Sequence, residues 1–164
     1  MTSIKRDLSL GDAGERRVMS LYEGFGFNSI QSQGKFPDWD IKSFYNGFEF
    51  TTEVKWDIYA VKSGNIAIEV FNPKSDKPSG LYATKANLWT HITDYVYVTT
   101  VEDLKVFVDT ESPVRTITNG GDGNATLLLF REDHILNIFT KLDILSKSCG
   151  FKTLLDLAGY SKSA

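Results

Sequence analysis

The sequence predicts an α/β domain in which a central β-sheet is flanked by helices. Three observations carry that expectation: an amphipathic stretch at helical spacing near the N-terminus, a strand-rich block folded about an Asn-Gly pair, and a β-branched, aromatic run over residues 94–100.

Residues 11–24 read as the first helix, because Val18, Leu21, Tyr22 and Phe25 recur on one face while Arg16 and Glu23 take the wet side. Gly24 and Gly26 are expected to end it. Residues 29–35 read as a polar loop leading to Pro37. Residues 39–45 and 48–56 then read as two strands joined at Asn46-Gly47, a pair that tolerates the positive φ of a tight hairpin turn. A third strand covers 65–71, and the Pro- and Lys-bearing stretch 72–80 reads as an exposed loop. A short helix is expected over 85–91, with Thr84 as its cap, followed by the buried strand at 94–100. Residues 101–110 fit either a helix or a strand. The glycines of 118–124 suggest a flexible turn, 125–130 a last strand, and Ile135, Ile138, Phe139 and Leu142 a helix within 131–145. Residues 161–164 are expected to fray. One domain accounts for residues 1–164, with a core at about 11–100 and a C-terminal elaboration over 101–164.

Composition narrows the chemistry. With 41% apolar and 24% charged residues among 164, the chain is ordinary globular material. No apolar run approaches membrane-spanning length and no signal segment opens the chain, so a cytoplasmic protein is expected. Cys149 is the only cysteine, which excludes an internal disulfide and a cysteine-rich zinc site; it reads as a small buried hydrophobe. His91 and His134 form no metal-ligand pattern and read as structural. Any metal must therefore be a hard one held by carboxylates. The net charge of −3 argues against a protein that coats nucleic acid, though not against an acidic catalytic site.

The informative segment is Pro37-Asp-Trp-Asp-Ile, the Asn-Gly turn, and Glu53-Val-Lys55. Side chains alternate along a strand, so Glu53 and Lys55 share one face while Val54 takes the other. The hairpin returns the first strand alongside the second, which can set Asp40 beside Glu53. Asp38 has the same parity and competes with it. Two carboxylates with adjacent carbonyl oxygens suit Mg2+, and a neighbouring ammonium can steady an attacking water or the charge on a phosphate.

This segment resembles the PD-(D/E)xK nuclease superfamily, and the resemblance covers residues 11–100. It implies a restriction-endonuclease-like core with a mixed sheet, and an order of helix, three strands, helix, strand. It implies an Mg2+-dependent endodeoxyribonuclease, with Mn2+ a possible substitute. By motif position, Asp40 (or Asp38) and Glu53 would bind the metal with the carbonyl of Val54, Lys55 would be the catalytic lysine, and Glu15 an added helix glutamate. Downstream, Glu69 on the third strand, Ser79 in a Ser-Gly turn, and Thr84 with Lys85 at a helix start are candidate DNA contacts, since a helix N-terminus and a cation can hold a phosphate. DNA is the expected partner, and cutting both strands of a duplex calls for a homodimer or larger homo-oligomer.

Plainer readings compete at each position. Glu15 completes a capping box with Asp12, Asp38 stabilises a turn, and Glu53 with Lys55 lies on an outward strand face. Trp56 and Trp89 read as core. A catalytically inactive nuclease-fold module that binds DNA or inhibits a nuclease keeps the fold and drops the chemistry. A purely protein-binding domain fits the charge.

Overall fold

The computed structural model describes residues 3–34, 37–120 and 124–160, with residues 3–9 described in backbone alone. Helix α1 (Ser3–Phe25) precedes strands β1 (Asn28–Gln31), β2 (Ile41–Tyr45) and β3 (Phe48–Trp56). A short α2 (Ala60–Ser63), β4 (Asn65–Asn72), β5 (Lys77–Pro78), β6 (Leu88–Ile92) and β7 (Val96–Thr100) follow. The chain continues through α3 (Val101–Thr110), β8 (Arg115–Gly120), β9 (Ala125–Arg131), α4 (Glu132–Ile135), β10 (Thr140–Lys141) and α5 (Lys147–Leu157).

Two sheets result. The central one has six strands in the order β1-β2-β3-β6-β7-β10 and is mixed, because β3 and β6 run parallel while its other neighbours are antiparallel. The other is antiparallel, in the order β5-β4-β9-β8. Alternation assigns the faces of the central sheet. Phe50 and Val54 of β3 and Leu88 and Ile92 of β6 pack with Val18, Tyr22 and Phe25 of α1 and with Leu154 and Leu155 of α5. On the other face Trp89 joins Ile66, Ile68 and Phe130 of the second sheet and Leu104 and Phe107 of α3. The expected central mixed sheet flanked by helices is therefore present, with a second sheet added to one face. No described helix is long and apolar enough to cross a membrane.

The hairpin forms where expected, with Asn46 at φ 45° and Gly47 at φ 79°. Other expectations are corrected. The first helix begins at Ser3, upstream of the expected start; Gly24 lies within its last turn, and Gly26, at φ 112°, is where it has ended. The loop expected over 29–35 contains β1, whose Ser29 and Ile30 pair with Ser43 and Lys42; Lys35 lies outside the described residues. The third strand exists as β4, but it belongs to the second sheet. Where a helix was expected over 85–91 there is β6, buried at all five positions between β3 and β7. A strand covered on both faces loses its polar alternation, and Leu88-Trp-Thr-His-Ile then has no period to distinguish it from a buried helix.

In the last third, Thr100 caps α3 by accepting the Asp103 amide, which settles 101–110 as a helix. The stretch 131–145 breaks into α4, a 3-10 turn at Leu136–Ile138, and β10 at the sheet edge. Within the turn expected at 118–124, residues 118–120 belong to β8, while 121–123, like the end at 161–164, lie outside the described residues. Cys149 is exposed rather than buried. On α5 it is Gly150 that faces inward, where a methyl group would lie 2.3 Å from the Phe25 ring.

Gly80 is a second point of close approach. Its φ is 51°, and a methyl there would lie 2.3 Å from the carbonyl oxygen of Glu69. Gly80→Ala combines left-handed strain with a backbone clash, so it is expected to cost about 2–4 kcal/mol, read as a lower urea midpoint. A midpoint unchanged from wild type would show that the turn relaxes freely.

Candidate functional site

Asp40 stands immediately before β2, and its amide donates to the Thr52 carbonyl at 3.0 Å. Beyond that point β2 offers β3 no further backbone partner on this side. The Asp40 carboxylate takes over, accepting the Val54 amide at 2.7 Å through Oδ2. Asp40 is thereby fixed against β3 at the level of Glu53 and Lys55.

Glu53 and Lys55 share the β3 face that looks toward the second sheet, opposite Trp89 and His91 of β6. The Lys55 ammonium lies 2.9 Å from Glu53 Oε1 and 6.0 Å from the centre of the Trp89 ring. Glu53 Oε2 accepts the Thr84 hydroxyl at 2.8 Å. Both oxygens of a carboxylate only 11% exposed thus receive a donor, which keeps a buried charge tolerable.

The charges feel one another. Burial, then the neighbouring Glu53 carboxylate, push Asp40 up to about 6, and the Val54 amide and Lys55 only partly oppose them. Burial pulls the Lys55 ammonium down, but Glu53 and Asp40 together more than reverse that and leave it above the ordinary lysine value. Lys55 is therefore a fixed cation and donor at neutral pH, and a poor candidate for a general base. Glu15 of α1 belongs to the same field. Burial raises its carboxyl, the bond from Gln31 lowers it, and Asp12 and Glu53 raise it further. Its Oε2 accepts the Gln31 side-chain amide at 2.7 Å, while Asp12 accepts from the same nitrogen at 3.0 Å. Asp12 sits within α1 and pairs with Arg16 at 2.9 Å, so the capping-box reading of Asp12 and Glu15 falls.

Asp38 goes elsewhere. Its carboxylate pairs with Lys85 at 3.3 Å, and it is more than half exposed. Between the two acids the sequence left open, Asp40 is the one in the electrostatic field of Glu53 and Lys55. Val54 contributes its amide to Asp40 and buries its side chain in the helix-side core. Glu69, on β4, is close enough to add to the field on Lys55, and Gly80 packs on its backbone. Ser79 precedes the 3-10 turn Gly80–Tyr82, and its buried hydroxyl has no hydrogen-bond partner. Thr84 and Lys85 open no helix, which removes the amide cluster that phosphate binding there requires. Thr84 is bonded to Glu53, and Lys85 is paired with Asp38.

One residue and one contact lie beyond what the sequence shows. Gln31 falls in the stretch expected as loop; Asn28-Ser-Ile-Gln alternates in burial, but its one apolar residue, Ile30, is on the exposed side, so the sequence carries no strand alternation there. The bond from Thr84 to Glu53 depends on β6 lying beside β3, a pairing without a local signal. His91 stands apart from these contacts. It is fully buried, its Nδ1 accepts the Trp89 indole at 3.3 Å, and its Nε2 faces Asp57 at 3.4 Å.

Asp40 and Glu53 supply hard oxygen donors beside a cation. Among the described residues no group of three His, Cys, Asp or Glu side chains is set to hold a metal ion. Magnesium asks for less, because it commonly takes one or two carboxylates and fills its remaining positions with water and substrate phosphate. Two carboxylates near enough for Glu53 to raise the Asp40 carboxyl, after burial, match that smaller requirement in number and in donor type.

No protein-family model matches the chain, and no curated protein matches it. Among solved structures, the chain is similar to a bacterial homing endonuclease, I-Ssp6803I, with a TM-score of 0.44 and 16% identity, covering 70% of this chain and 85% of that one.

Proposed function

We propose that this chain is an Mg2+-dependent endonuclease that hydrolyses phosphodiester bonds of DNA. The observation that carries the reading is the meeting of Asp40, Glu53 and Lys55 at one place on β3, two carboxylates and a fixed ammonium in mutual electrostatic contact. DNA as the substrate rests on the resemblance of the Pro37–Lys55 segment to the PD-(D/E)xK superfamily.

Asp40 and Glu53 would hold the ion, with the Val54 carbonyl as a further oxygen donor. The bound ion would lower the pKa of a coordinated water and so supply hydroxide near neutral pH. Lys55 keeps its proton and offers it as a hydrogen bond to the attacking oxygen or to a phosphate oxygen, where negative charge grows. Thr84 and Lys55 each donate to one oxygen of Glu53. Glu15, held by Gln31, extends the acidic wall from the α1 side. One such site cuts one strand, so double-strand cleavage would need two copies of the chain.

The test is conversion of supercoiled plasmid to nicked and linear forms. Cleavage is expected with Mg2+ or Mn2+ and none with EDTA. Binding of DNA without cleavage under every metal condition would favour an inactive nuclease-fold module instead. Absence of both binding and cleavage at low salt would remove DNA from the account.

A further inference from the structure

We propose that Thr84 is a positioning residue for Glu53, setting the rotation of its carboxylate and thereby the affinity of the acidic site for a divalent cation. The proposal rests on the reading of Asp40 and Glu53 as a cation site.

The loop before β6 acts as a strap across the start of the site. The Lys85 amide donates to the Asp38 carbonyl at 2.9 Å, and the Asn87 amide donates to the Thr51 carbonyl at 3.0 Å. The Asn87 side-chain oxygen accepts the Thr51 amide at 2.9 Å in return. Residues 84–87 are thus tied at one end to the segment that carries Asp40 and at the other to the strand that carries Glu53. Thr84 sits within this strap and has little freedom to swing.

Its hydroxyl is also directed. Thr84 Oγ1 accepts the Ala86 amide at 3.2 Å, which occupies one lone pair and orients the group. The hydroxyl proton then has two acceptors within reach, Glu53 Oε2 at 2.8 Å and the Asp38 carbonyl at 3.3 Å. The shorter contact is to a carboxylate, where a donor counts for more. With Lys55 on Oε1, the Glu53 carboxylate is gripped at both oxygens, and its plane is fixed relative to Asp40. Partners that orient a ligand in this way commonly change metal affinity by roughly 10- to 100-fold when removed.

The experiment titrates Mn2+ into metal-free protein and follows free Mn2+ by electron paramagnetic resonance. It compares wild type with Thr84→Val, Thr84→Ala, Thr84→Ser and Glu53→Ala, each checked for folding by circular dichroism. Thr84→Val and Thr84→Ala are expected to weaken Mn2+ binding about tenfold, and Thr84→Ser to stay within about threefold of wild type. If the valine variant fails to fold, the alanine and serine pair decides alone. Wild-type affinity in the hydroxyl-free variants, with binding lost in Glu53→Ala, overturns the role of Thr84 and leaves the cation site standing. A serine variant as weak as the alanine variant also overturns it. Wild-type protein that binds no Mn2+ at millimolar concentration overturns the cation site, and the role of Thr84 with it.

Discussion

Lys55→Ala is expected to lower Mg2+-dependent plasmid nicking about a thousandfold while the chain stays folded, because one preorganised charge at the reacting phosphate is worth about that much. Two features separate this from a loss of structure. Lys55 is about one-third exposed, so alanine there opens no cavity in either core. Glu53 also keeps its bond from Thr84 when Lys55 is gone. Mn2+ binding should therefore persist within about tenfold of wild type, since removing a cation does not weaken the attraction of two carboxylates for another. Full nicking activity in Lys55→Ala would take the lysine out of the chemistry and end the proposed mechanism.

The second large effect has two signs. Asp40→Asn should be inactive and, without metal at neutral pH, more stable than wild type. The Asp40 carboxyl is raised from an ordinary 3.8 to about 6 in the folded chain. Between those values the folded state keeps a proton that the unfolded state has released. Stability therefore falls as pH rises from about 4 to about 6 and stays lower above. Asparagine cannot ionise, and its side-chain oxygen can still accept the Val54 amide. Discounted for partial exposure and for coupling to Glu53 and Lys55, the gain should be about 1–2 kcal/mol at pH 7.5 and vanish near pH 4. Thermal melting at the two pH values measures it. An Asn variant less stable than wild type at pH 7.5 would mean that ionised Asp40 is well accommodated. Added Mg2+ should close the gap, because only the aspartate gains from binding it. Competition between proton and ion at Asp40 predicts that the Mg2+ concentration needed for half-maximal wild-type cleavage rises as pH falls below about 6, measured by plasmid nicking across a metal titration at each pH.

How much of this was legible in the residues depended on whether the signal was local. Asn46-Gly47 demanded a positive-φ turn, and that turn fixes the register which lays Ile41 opposite Thr52 and brings Asp40 to Val54. Strand alternation placed Glu53 and Lys55 together. Those features needed only neighbours in sequence. β6 needed more, since being covered on both faces erased its periodicity, and the Thr84 cap expected for a helix there became a bond to Glu53. β4 was visible as a strand, yet nothing within it names β9 as its partner. α3 could not be told from a strand until its Thr100 cap was seen. The hairpin that brings Asp40 to Val54 was readable from neighbours in sequence, and the strand pairings made by crossovers were not.

The pairing of β4 with β9 joins Asn65 to Arg131, and β10 seals the edge of β7 from a still later point in the chain. Contacts so distant in sequence close large loops before they return any stabilisation, which slows folding. During synthesis the hairpin with its acids can form early, while the apolar face of β4 must wait for the ribosome to deliver its cover. The interval in which that face is bare is the period when the nascent chain has most need of a chaperone.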